Sequence, residues 1–224
     1  MILIKPSFEI MSDVSPLSVL KRIEQAGRTC YKSKASDDTC VPFVKMLIKR
    51  GHESVLEHES ISVRVVCDRG VSHELVRHRI ASFSQESTRY CNYSGEITFI
   101  IPPWVDVETG EYDVSTVKKF ANSFNTKYSD WAWLSACKQS ETSYAALLTQ
   151  GWTPQQARTT LNNSVKTEIV ITQNLRQWRH FFKVRALGLT GEPHPQMLEI
   201  AVPMLANFKS LLPVIFDDLE GEKK

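Results

Sequence analysis

Apolar positions along the chain recur with two periods, and these divide it into strands and helices. Ile2 to Ile4 reads as a short strand. Ser15-Pro16 opens a helix, with a hydroxyl at the cap, proline at the first position and an apolar stripe of Leu17, Leu20, Ile23 and Ala26. A second helix runs from Val41 to Arg50, with Val41, Val44, Leu47 and Ile48 on one face and Gly51 as its stop. In residues 61–67, Ile61, Val63, Val65 and Cys67 alternate with Ser62 and Arg64, which is period two and therefore strand. Val71, Leu75, Val76 and Ile80 return at helical spacing, and the polar stretch Ser82 to Ser94 reads as a loop. Ile97 to Ile101 is a strand closed by Pro102-Pro103.

Val114 to Gln150 is helical, in one or two pieces, with Trp131, Leu134, Tyr144, Leu147 and Leu148 as candidate core and Gly151 as its end. Thr153-Pro154 starts a short helix, the β-branched stretch Val165 to Ile171 is a strand, and Leu175 to Leu187 is helical again. A last amphipathic helix spans Gln196 to Leu212. No linker, repeat or change of composition divides the 224 residues, so they are expected to form one α+β domain. A mixed or antiparallel sheet with flanking helices is the expected architecture. That length supports a sizeable core without disulfide or metal staples.

Hydrophobic residues at 42% and charged residues at 23% are ordinary for a globular chain, which excludes a disordered tail. No apolar run approaches the roughly 20 residues of a membrane span, and the first residues lack the pattern of an export signal. A cytoplasmic protein with no membrane partner is expected. Twenty-seven basic and 25 acidic side chains leave a net charge of +2, too little for a broad field that captures nucleic acid, so any anion site must be local. The five cysteines are scattered without a C-x-x-C pair, and reduced thiols packed as small apolar groups are expected.

Three stretches carry most of the candidate chemistry. Arg77-His78-Arg79 is followed after seven residues by Ser87-Thr88-Arg89. On a continuous helix these three successive side chains would point about 100° apart, so they could not all grip one small ligand. A solvated basic helix end is the alternative reading. Ser84, Ser87, Thr88 and Arg89 add hydroxyl and guanidinium donors suited to phosphate oxygens. A nucleophilic serine would need an adjacent base, and His78 is nine positions away, so Ser87 is read as a hydrogen-bond donor. The second stretch, His52 to His58, superficially matches H-E-x-x-H, but its histidines are too widely spaced to share one helix face, so no metal site is expected. It reads either as capping or core histidines or as a polar rim for a ring-bearing ligand. The third comprises Gln156-Ala157-Arg158, Asn174-Leu175-Arg176 and Arg185. No Rossmann or P-loop glycine motif is present, so a nucleotide cofactor would be held by other means.

Together these stretches resemble the flavin-dependent thymidylate synthase family, whose signature R-H-R-x7-S-x-R is matched by Arg77, His78, Arg79, Ser87 and Arg89. The resemblance covers about residues 1–215. It implies reductive methylation of dUMP to dTMP, with methylenetetrahydrofolate as carbon donor, NADPH as reductant and FAD as redox carrier. It also implies a homotetramer with active sites shared between subunits, which would let one tripeptide serve ligands held by different chains. By the same resemblance, FAD is expected at Ser54, Arg77, His78, Arg79, Gln85, Asn174, Leu175, Arg176 and His180. The nucleotide is expected at Glu74, Leu75, Val76, Arg77, Gln85, Glu86, Ser87, Thr88, Arg89, Arg158 and Arg185, with Arg185 as the catalytic residue.

The glycine- and proline-rich segment Leu187 to Pro193 departs from the family's expected shorter connection, and His194 is given no role. A non-catalytic nucleotide- or RNA-binding module is the alternative function, disfavoured by the near-neutral charge and by the lack of an RNP-like aromatic strand. The unrelated folate-dependent synthase is excluded because no Pro-Cys-His tripeptide occurs.

Overall fold

A computed structural model describes residues 1–36, 38–121 and 126–220. The strands are β1 (Ile2–Ile4), β2 (Ser7–Ile10), β3 (Ser60–Asp68), β4 (Ser82–Gln85), β5 (Thr98–Ile100), β6 (Gly110–Glu111) and β7 (Lys166–Asn174). The longer helices are α1 (Pro16–Tyr31), α2 (Cys40–Lys49), α3 (Arg69–Leu75), α4 (Val114–Ala121) and α5 (Tyr128–Thr149). They are followed by α6 (Pro154–Ala157), α7 (Leu175–Arg185), α8 (Pro195–Leu211) and α9 (Pro213–Phe216). Glu53–His58 and Arg158–Thr160 are 3-10 turns.

The fold is α+β, as the two sequence periods imply, but it contains two sheets where one was expected. β5-β1-β6 is mixed: β1 runs parallel to β5, with Leu3 opposite Phe99, and antiparallel to β6. The other sheet has the order β2-β3-β7-β4. Contacts partition the chain into two compact units, each assembled from three separate segments. The first contains residues 1–7, 65–77 and 84–169, and the second contains 8–64, 78–83 and 170–224. β3 and β7 each begin in one unit and end in the other.

In the first unit, Leu3, Ile97, Phe99, Leu134, Cys137 and Tyr144 form a core against which Trp133, Leu147 and Leu148 pack. Trp131, expected there, is only half-buried. Residues 122–125 of the long helical stretch lie outside the described residues. In the second unit, Trp178, Phe181, Phe182, Phe208 and Phe216 pack at ring spacings of 5.1–5.9 Å. Trp178 Nε1–H donates to the Ile61 carbonyl at 3.1 Å, so its one polar atom is satisfied where the ring is buried.

Several element expectations are corrected. α1 buries Val19, Leu20, Ile23, Glu24 and Gly27, while Leu17 is 55% exposed, so its apolar stripe is rotated from the one read in the sequence. A Cβ on Gly27 would lie 2.8 Å from Phe43 Cε1, so glycine there permits α1 and α2 to approach closely. Gly51 has φ +72° and ends α2 as expected. α3 stops at Leu75 because its buried face ends there, and the Arg77 N–H turns back to the Glu74 carbonyl at 3.2 Å. The Arg77–Arg79 tripeptide therefore lies outside the helix, and Ile80 is 66% exposed. Ser82–Gln85, read as loop, is the last strand of its sheet, a place that needs no apolar face.

Candidate active site

The first unit gathers most of the nucleotide residues expected from sequence. Asp68 caps α3 by accepting the Val71 N–H at 2.7 Å. This leaves Arg69 on the first turn, where Nη1 donates to the Glu86 carbonyl and to Thr167 Oγ1, each at 3.2 Å. Gln85 Nε2 donates to Ser72 Oγ at 2.9 Å and to Thr167 Oγ1 at 3.2 Å. The end of β4 is thereby tied to α3 and β7. A tight turn follows, in which the Ser87 carbonyl accepts N–H groups from Tyr90 and Cys91 at 3.1 and 2.9 Å.

On the facing side, a capping box between Thr153 and Gln156 starts α6, and fully buried Ala157 anchors it. The next residue, Arg158, donates through Nη1 to Thr88 Oγ1 at 3.3 Å, and Gln155 Oε1 accepts from Arg89 Nε at 2.9 Å. A cavity of about 250 Å³ opens at this junction, lined by Arg69, His73, Thr88, Arg158, Asn162 and Asn163 among others. Two guanidinium groups, a hydroxyl and two amides around such a space match the acceptor pattern of a phosphate.

Glu86 faces a different set of partners. Its carboxylate accepts from the Tyr93 hydroxyl at 2.7 Å and pairs with Lys166 at 3.1 Å, while Lys166 also reaches Glu168 at 2.7 Å. Burial and the Glu86 carboxylate push the Tyr93 hydroxyl well above its ordinary range. Burial works to lower Lys166, but Glu168 and Glu86 outweigh it and hold the ammonium above its usual value. The Glu86 side chain is thus committed to bracing the loop.

In the second unit, Arg185 Nε–H donates to His78 Nε2 at 3.1 Å. The imidazole sits edge-on to Phe181, with centroids 5.0 Å apart, and 6.0 Å from the His180 ring. Burial first, then the nearby Arg185 and His180 charges, lower the His78 pKa to about 4. Because Nε2 accepts a hydrogen bond and the ring is neutral at pH 7, its proton resides on Nδ1. Asn174 caps α7 by accepting the Gln177 N–H at 2.9 Å, which fixes the start of the helix carrying Arg176 and His180. Arg176, nearly half exposed, pairs with Glu57 at 2.5 Å, and Ser54 and His180 are exposed.

Among the expected site residues, Glu74 to Arg77, Gln85 to Arg89 and Arg158 belong to the first unit, and Ser54, His78, Arg79, Asn174 to Arg176, His180 and Arg185 to the second. Leu75 and Leu175 are buried, so only their backbone could meet a ligand. Val76 is 37% exposed, and Arg77 and Arg79 are exposed. Sequence reading missed Arg69, His73, Tyr93, Gln155 and the Asn162-Asn163 pair. The Asn-Asn dipeptide is a turn signal that could have drawn attention. The others carry no local signal, since their partners lie far off in sequence. His52 and His58 are exposed, and His52 Nδ1 lies 3.4 Å from the Tyr31 hydroxyl. Among the described residues, no group of three or more His, Cys, Asp or Glu side chains could hold a metal ion.

Comparison with known proteins agrees with the sequence signature. The family model described as thymidylate synthase complementing protein matches residues 17–214. A flavin-dependent thymidylate synthase of Mycobacterium avium is 31% identical over 203 residues, covering 88% of this chain and 78% of its own length. One from Geobacter sulfurreducens is 32% identical over 203 residues, covering 86% and 78%. A UMP/dUMP methylase from Streptomyces cacaoi, solved with 5-bromo-UMP, shares the fold, with TM-score 0.74 at 20% identity over 97% of this chain and 95% of its own. This chain therefore belongs to the flavin-dependent thymidylate synthase family.

Proposed function

We propose that the chain is a flavin-dependent thymidylate synthase that methylates dUMP to dTMP, with its nucleotide phosphate taken at the Arg158–Thr88 junction. The observation that carries this reading is the 250 Å³ cavity in which Arg158 meets the hydroxyl beside the signature Ser87. Arg158 and Arg69 supply fixed charge, and Thr88, Asn162 and Asn163 supply neutral donors. Ser87 and Arg89 complete the signature on the same turn. Glu86, held by Tyr93 and Lys166, keeps that turn in register.

The exposed donors of the second unit fit a ring-bearing pyrophosphate cofactor, with guanidinium groups for the phosphates and imidazole and hydroxyl groups for rings and ribose. On this reading Ser54, His78, Arg79, Asn174, Arg176 and His180 hold FAD. When bound, FAD supplies the hydride that converts the transferred carbon to a methyl group, the carbon coming from methylenetetrahydrofolate and the reducing equivalents from NADPH. Arg185 serves the uracil ring: a permanent positive charge beside N3 stabilises the form of the base that is anionic there, and that negative charge, delocalised through the ring, makes C5 a better nucleophile. Neutral His78 orients that guanidinium through Nε. A homotetramer with shared sites completes the arrangement.

The test is direct binding to purified protein. FAD should bind and give a visible flavin band that NADPH bleaches, and dUMP binding by calorimetry should weaken at least tenfold in Arg158→Ala, since a hydrogen bond to a charged group contributes about 1.5–3 kcal/mol. Protein that stays colourless after FAD addition would favour the non-catalytic nucleotide-binding reading.

A further inference from the structure

Arg179 belongs to none of the expected site residues, yet it is the most fully engaged cation among the described residues. It lies on α7 between Arg176 and His180 and is 2% exposed. Nε donates to Glu53 Oε1 at 3.1 Å, and Nη2 lies 3.0 Å from the same oxygen. Nη1 and Nη2 grip Asp218 Oδ1 and Oδ2, each at 2.6 Å, and Nη1 also donates to the Ile215 carbonyl. Four of the five guanidinium N–H donors thus make a hydrogen bond, and the nitrogen bearing the fifth lies within ion-pair distance of Glu53. One cation faces two carboxylates, and Lys183 Nζ, 3.9 Å from Glu53, brings the group to neutrality. Burial would lower the Arg179 pKa, but Asp218 and Glu53 outweigh it and hold the group above its ordinary value.

These bonds join three elements: α7, the 3-10 turn Glu53–His58 and the C-terminal turn at Ile215–Asp218. Glu53 adjoins Ser54, and Arg179 is flanked by Arg176 and His180, so the buried bond runs beneath residues placed at the flavin. On the exposed side a second tie, Arg176 to Glu57, joins the same two elements but is open to water and weaker. We infer that Arg179 is a positioning residue for the flavin, locking the Ser54-bearing turn to α7 through Glu53 so that hydroxyl, guanidinium and imidazole donors are held in one constellation. The inference rests on the proposed flavin site.

The test uses full-length Glu53→Gln, which keeps shape but removes charge, with Asp218→Asn and Arg179→Lys beside it. FAD and dUMP affinities are titrated separately, with circular dichroism reporting fold in the far ultraviolet and flavin setting in the visible. Wild-type protein that fails to bind FAD would sink the flavin site itself. Given wild-type binding, folded Glu53→Gln should bind FAD about tenfold more weakly, at the low end of what loosening a supporting shell costs in metal sites. Its visible flavin band should change while dUMP affinity stays within twofold. Arg179→Lys should resemble it, because lysine keeps the charge but loses the fork. FAD affinity within twofold of wild type in folded Glu53→Gln, or equal losses of FAD and dUMP affinity, would overturn the inference. Should that variant not fold, Asp218→Asn decides, because its side chain is 48% exposed and it disturbs two of the five donors. A several-fold loss of FAD affinity alone supports the lock, and an unchanged affinity refutes it.

Discussion

His78 is the residue whose protonation most sharply separates this site from a solvated basic loop. Burial, Arg185 and His180 hold its pKa at about 4, whereas an unstructured chain would titrate near 6.5. With the folded value below the unfolded one, the unfolded chain binds more protons between those two pH values. Stability from this residue is therefore complete above about pH 6.5 and declines as pH falls toward 4. The full shift is worth about 3 kcal/mol, and the partial exposure of the ring reduces this to roughly 1–2 kcal/mol. The perturbation is His78→Gln, which cannot be protonated but can still accept from Arg185. Urea unfolding of both proteins from pH 7.5 to 4.5 gives the comparison. Wild type should lose about 1–2 kcal/mol more than the variant across that range, and the His78 ring signals should show no titration above pH 5 by NMR. Titration of His78 near 6.5, with parallel stability curves for the two proteins, would refute the buried, cation-flanked setting.

Further outcomes follow from the same geometry. Arg185→Ala should lower turnover strongly while FAD stays bound, and Arg185→Lys should recover only part of it; unchanged turnover at saturating dUMP would remove Arg185 from the chemistry. Ser87→Ala should raise the dUMP requirement by about 1.5–3 kcal/mol in binding more than it slows chemistry, and a covalent uracil adduct on Ser87 would overturn that role. Lys166→Met, which leaves the Glu86 carboxylate with one fewer cation, should lower unfolding stability by about 1–3 kcal/mol and weaken dUMP binding, both measurable by denaturation and calorimetry. Light scattering should report a tetramer, and a fully active monomer would contradict shared sites.

Residues 61–67 announced their strand because alternation of Ile61, Val63, Val65 and Cys67 is period two and one face is buried. β2, β4 and β6 went unread for the opposite reason: strands of two to four residues, mostly polar, carry no period to detect. The end of α3 was read too late because Val76 and Ile80 fit the helical spacing, although neither is buried. The residues proposed for the site drew attention where they cluster in sequence, at Arg77–Arg79, Ser87–Arg89 and Asn174–Arg176. Pairs distant along the chain, such as Arg69 with Thr167 or Arg179 with Glu53 and Asp218, carry no such signal, because only the folded chain brings them together.

The central claim is that this chain makes dTMP by a flavin-dependent route, and product formation tests it most directly. Purified protein supplied with FAD, NADPH, methylenetetrahydrofolate and dUMP should form dTMP at a rate that falls to background when FAD or dUMP is omitted, and that is strongly reduced in Arg185→Ala. Protein that binds both FAD and dUMP yet forms no dTMP with every component present would contradict it.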